Sequence, residues 1–221
     1  MGIGTSIPIP FSISKIRNNN MSCRSLTNIT KGNCESNKGG LFTTVWVMNR
    51  SNLDLIKDFT PGSGSEDTNL TDYTGIINVA WKDSLDKDDA CTLKYRKQSS
   101  GLTSEATVDD ANGISFVTSN LALVFARQNI EKRIAIQALA LQEDLAVIVR
   151  DGNGVNYFLG ADDSVTATAY GANTGTAATD ANNYTITLTD ISSELPYIVT
   201  DDNMEGLFGA NWKDADLPTQ A

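Results

Sequence analysis

The chain has no histidine among its 221 residues. That removes the commonest general base and the commonest metal ligand, and with them serine–histidine and cysteine–histidine catalysis. Cysteine is scarce as well. Cys23, Cys34 and Cys91 are an odd number without a CxxC spacing, so they read as free thiols and not as a disulfide framework. Positive charge is short: 17 basic residues stand against 27 acidic ones, for a net charge of −10. Tight binding to nucleic-acid phosphates needs a basic face, and this balance argues against one. It remains compatible with a passage through which nucleic acid slides without sticking. No apolar run approaches the roughly 18 residues of a membrane span. The apolar patch from Ile7 to Ile13 is broken by two prolines and followed, not preceded, by Lys15 and Arg17, which predicts no secretory signal.

What is present centres on Ala126 to Gly160. Ile130, Ile134, Ala138 and Leu141 recur at helical spacing, and Asn129 is suited to cap the N-terminus, so a helix is expected over about 127–143. Its apolar stripe is expected to cover a sheet, so that Ile134→Asp would destabilise the fold by several kcal/mol. Leu145 to Arg150 is short, apolar and β-branched, as in a buried strand. Asp151-Gly152-Asn153-Gly154 is a strong hairpin signal, with Val155 to Leu159 returning.

Nearly everything else reads as β. Strands are expected at Leu41 to Met48, Ile76 to Trp81, Cys91 to Gln98, Thr103 to Val108, Ser115 to Phe125, in SVTATAY, at Tyr184 to Thr189 and at Tyr197 to Val199. Residues 1–20 read as an N-terminal arm, with Met21 a second candidate start; 21–200 read as one domain; 201–221 read as an acidic C-terminal arm. Residues 49–72 read as a long loop with a Pro-Gly turn. Within it Leu55, Ile56 and Phe59 are spaced for one helical turn or a hooked segment. They are too few for a core of their own but enough to dock on a neighbouring subunit.

No motif carries chemistry. Asp83, Asp86, Asp88 and Asp89 lack the glycine and distal glutamate of a calcium loop, and a solvated turn accounts for them. The Asp151–Gly154 turn opens no helix, so it is no phosphate cradle. No GxSxG or GxxxxGK[ST] occurs. Paired carboxylates for glycoside hydrolysis leave no local spacing by which to find them. Lys94, Arg96 and Lys97, with Arg127, Lys132 and Arg133, are the basic clusters; a solvated face, ion pairs with a neighbouring subunit and a nucleic-acid patch all fit them. Neither a cofactor nor a catalytic set is expected.

MSCRSLTNITKGNCESNKGG followed by a strand resembles the start of virion structural proteins from phages of Bacteroidetes-type hosts. The order at 115–160 is similar to that family too: strand, charged helix, buried strand, NG turn, YFLG strand. TGTAATDANNYTITLTD resembles the family's C-terminal pattern. The likeness is to tail tube proteins and runs over about residues 21–200. It implies a β-sandwich with one flanking helix, assembled into hexameric rings whose inner sheets join into a barrel. It also implies stacked rings that conduct DNA in the virion tail, with assembly in the host cytoplasm. The partners would be further copies, a tape-measure protein, a terminator and, in a contractile tail, a sheath. A capsid decoration or head–tail connector protein is the alternative, and a glycosidase-like hydrolase a third.

Overall fold

The computed structural model describes residues 37–57, 75–95, 99–109 and 114–213. Among them the chain is mainly β. The strands are β1 (Leu41–Asn49), β2 (Leu53–Lys57), β3 (Ile77–Trp81), β4 (Cys91–Lys94), β5 (Gly101–Asp109) and β6 (Ile114–Ala126). They continue with β7 (Leu145–Asp151), β8 (Asn156–Leu159), β9 (Thr166–Asn173), β10 (Asn183–Ser192) and β11 (Tyr197–Val199). Two helices, α1 (Ile130–Ala140) and α2 (Asp201–Phe208), complete the described elements. The strands form three sheets: β11-β8-β7-β1-β4, β5-β6-β10-β9, and the pair β2-β3. All their pairings are antiparallel, and none of these sheets closes into a barrel.

The five-stranded sheet is buried on both faces. That is why β1 and β7 carry near-continuous apolar runs instead of strict alternation. On one face Val45, Val47, Val147 and Val149 meet Leu121, Leu123, Ile186 and Leu188 of the four-stranded sheet in one core cluster. On the other, Trp46, Met48, Ile148 and Phe158 pack against Leu53, Ile77 and Val79 of the β2-β3 pair and against Met204 and Leu207 of α2. The Trp46 ring stacks on Phe208 at 5.6 Å and meets Trp212 edge-on at 5.9 Å.

The C-terminal segment is therefore not an arm as far as Lys213. Thr200 caps α2 by accepting from the Asn203 N–H, and Met204 is fully buried. The Asn203 amide accepts from the Val79 N–H and donates to the Val79 carbonyl, so α2 closes the edge of β3 as a strand would. Trp81 Nε1 donates to the Leu207 carbonyl at 3.0 Å, satisfying one of the helix's orphan acceptors. The expectation of a single helix missed this one because eight residues with a glycine inside carry little periodic signal.

The expected helix is present, three residues shorter at each end, and Asn129 Oδ1 accepts from the Lys132 N–H at 2.8 Å. Its orientation is the reverse of the expectation. Ile136, Leu139 and Ala140 face the core, while Ile130, Ile134 and Leu141 are 78%, 62% and 82% exposed. The two apolar faces lie about 145° apart at 100° per residue. The periodic stripe was real, but a helix with apolar residues on both sides does not reveal which side packs. Ile134→Asp is accordingly a surface change expected to move stability by about 0.5 kcal/mol or less.

Residues 49–57 are not loop. They finish β1, make a 3-10 turn at Arg50–Asn52 and run along β2, paired with β3 from Leu53↔Trp81 to Lys57↔Ile77. The β7-β8 hairpin is as expected. Asp151 Oδ1 accepts from the Asn153 and Val155 N–H groups at 2.9 Å each, and Gly154 supplies the positive φ of 93°.

A candidate assembly surface

The four-stranded sheet offers one face to the core and leaves the other uncovered among the described residues. The register fixes which side chains share the open face. Glu105, Thr118 and Ile191 lie in one row; Thr103, Asn120, Thr189 and Thr166 in the next; Gly101, Ala122, Thr187 and Ala169 in a third. These positions are half-buried or exposed, and none is a lysine or arginine. Glu105 and Asp109 are the charged residues that the β5 register adds to this face. A polar ladder crosses it: the Thr168 and Thr189 hydroxyls lie 2.9 Å apart, and Thr189 Oγ1 donates to Asn120 Oδ1 at 2.8 Å. Among the described strand residues, the face is thus rich in threonine, small residues and amides, with acidic charge only. Phosphates meeting such a wall find dipoles without a fixed cation.

Both edges of this sheet are long and, among the described residues, pair with no further strand. β5 spans nine residues and β9 eight, and neither contains proline or lysine. Soluble monomers usually blunt such edges with those residues. An even number of antiparallel strands also leaves β5 and β9 running in opposite directions. A β9 edge can therefore pair with the β5 edge of another copy and continue the antiparallel alternation.

Around the sheet, the two sides of the molecule differ. On the β9 side α1 fills the space between the sheets, touching β9 and β10 and bordering Leu93 of β4. On the β5 side the described residues of the two sheets leave a groove of about 950 Å³ between them. Leu102 of β5, Tyr157 of β8, Ile198 of β11 and the Glu194-Leu195-Pro196 turn line it.

One buried carboxyl stands behind the sheet. Asp190 of β10 is 1% exposed, and its Oδ1 has no hydrogen-bond partner. Burial pushes it up to about 6, against the Gly160 N–H that donates to it; Asp162 and Asp163 push the same way and Arg50 opposes them. The neighbouring loop is firmly held. Arg50 Nε donates to the Gly160 carbonyl at 2.8 Å, and its Nη2 donates to the Asp162 carbonyl at 3.1 Å. Burial raises Asp162 too, but Lys57, which forms a salt bridge to it, and the Ser193 hydroxyl and N–H hold it down to about 2.

Leu55 and Ile56, two of the three residues expected to dock on a neighbour, fall on opposite faces of β2. β2 is extended, so Leu55 turns toward the second core cluster while Ile56 points outward, 62% exposed. Phe59 lies outside the described residues, as do the 1–20 arm, Cys23 and Cys34. Cys91 is an exposed free thiol. The aspartate-rich turn is a 3-10 capping box: Asp86 accepts from the Asp88 N–H, and Asp89 accepts from the Asp86 N–H. No group of three or more metal-ligating side chains occurs among the described residues, and no described helix is long and apolar enough to cross a membrane.

The open face was partly visible as the Thr alternation of β10. β5 and β9 were not assigned faces, because small and polar residues occupy both of their sides. No protein-family model matches the chain, and neither a curated protein nor a solved structure does.

Proposed function

We propose that this chain is a non-catalytic structural subunit of a phage tail tube, in which copies join edge to edge into rings and the rings stack. The observation that carries the reading is the four-stranded sheet: among the described residues, an uncovered polar face without cations, between two long unpaired edges of opposite direction. In this reading the two larger sheets form a β-sandwich, and the open face of the four-stranded sheet lines the bore. Six copies of four strands give a barrel of 24, about 45–50 Å across at the backbone for a spacing of about 4.8 Å and a tilt near 40°. Such a bore is wider than a nucleic-acid duplex. Its Thr, Asn and Glu side chains let DNA pass without a fixed site to hold it. Closure also removes the edges that a lone copy leaves bare. The remaining partners in this reading are the tape-measure protein, a terminator and, in a contractile tail, a sheath; the subunit assembles in the host cytoplasm and acts in the virion.

Negative-stain microscopy of the purified full chain, with sedimentation over a concentration series, tests this. Tubes or stacked rings with a central bore are expected. Monomers at every concentration and salt condition would overturn the reading.

A further inference from the structure

We propose that the outward apolar face of α1 seats in the groove on the β5 side of the next copy around the ring. The inference rests on the tube-subunit reading and specifies its lateral contact. α1 stands beside the β9 edge, on the core side of the four-stranded sheet. The groove opens beside the β5 edge on that same side, since Leu102 and Ser104 line it and their register partners Leu121 and Ser119 are buried. Pairing β9 with the next copy's β5 therefore puts helix and groove on the same side of the shared sheet, next to the joined edges.

The surfaces match in chemistry. The helix presents Ile130, Ile134 and Leu141, each more than 60% exposed, an apolar strip with no partner within the described chain. The groove answers with Leu102, Tyr157, Leu195 and Ile198, of which Leu195 is 62% exposed. The contact is heterologous: the surface that gives and the surface that receives are different, so it generates a ring when the rotation closes. Strand pairing alone would leave both apolar surfaces wet; the seated helix buries them at the centre of the interface, where affinity concentrates.

The test uses the full chain with Cys23, Cys34 and Cys91 changed to serine. One preparation carries Ile134→Cys and another Leu195→Cys; the two are mixed, assembled and oxidised. A disulfide-linked dimer is expected from the mixture, at least tenfold above either preparation alone. In parallel, Ile134→Glu should melt with the parent protein as a monomer but fail to form tubes. Tubes that form without the mixed cross-link, or normal tubes from Ile134→Glu, would overturn the docking while leaving the tube reading intact. Absence of tubes from the unmodified chain would remove both. A third preparation keeps Cys34 beside Leu195→Cys. An intrachain disulfide there would show that the chain's own N-terminal segment fills the groove, and would also overturn the docking.

Discussion

Asp190→Asn should abolish a pH dependence of stability that the native protein carries. Asp190 is 1% exposed, and its carboxyl is pushed from an ordinary 3.8 to about 6. A shift of about two units, at 1.36 kcal/mol each, amounts to about 3 kcal/mol. The folded state holds the Asp190 proton more tightly than the unfolded state. The stabilisation is therefore fully present below about pH 4 and is lost as pH rises through about 6. Between pH 4 and 7.5 the native protein should lose about 2–2.5 kcal/mol from this group, or about 1 M in urea midpoint. Asparagine keeps an acceptor for the Gly160 N–H but cannot ionise. Other carboxylates titrate over the same range, so the quantity to read is native minus variant, measured by urea denaturation at each pH on unassembled protein. Parallel profiles would show that Asp190 ionises freely in the fold and would refute the argument.

Met204→Ala should cost about 2–4 kcal/mol and lower the melting temperature by several degrees, because Met204 is fully buried against the five-stranded sheet; a neutral result would return α2 to the status of an arm. Thr118→Lys with Thr187→Lys, both on the open face, should leave monomer stability within about 0.5 kcal/mol of the parent but make assembled tubes retain DNA in a salt-dependent way. Electrophoresis of tube-bound DNA over a salt series reads the second effect, and tubes that retain none would show that this face is not the bore.

Much of the β framework was legible from sequence because strand, turn and core signals agreed there. Val147 to Val149 could only be buried, and Asp151 to Gly154 could only turn. Legibility failed where one residue pattern served two surfaces. α1 is apolar on two sides, and periodicity does not rank them. Leu55 and Ile56 were read by helical spacing, but pairing with β3 imposes a period of two and sends them apart. The C-terminal helix was missed because its anchors, Met204, Leu207 and Trp212, are few and sit among aspartates and glycines. The free edges of the four-stranded sheet lay beyond local reading altogether. A free edge is a property of the finished sheet order and not of the residues in β5 or β9.

The place of β1 in the five-stranded sheet also bears on how the chain is made. β1 lies between β7 and β4, and its long partnership is with β7, Trp46 facing Ile148 about a hundred residues later. At synthesis rates of about 5–20 residues per second, LFTTVWVMN is translated some 5–20 s before its main partner exists. During that interval it is an uncharged, β-prone segment of nine residues, the kind that seeks any other edge. Nascent chains crowded on one message would be most exposed to mispairing at this segment. Soluble yield should therefore depend on how quickly residues 50–160 follow it out of the ribosome, and on what shields it until they do.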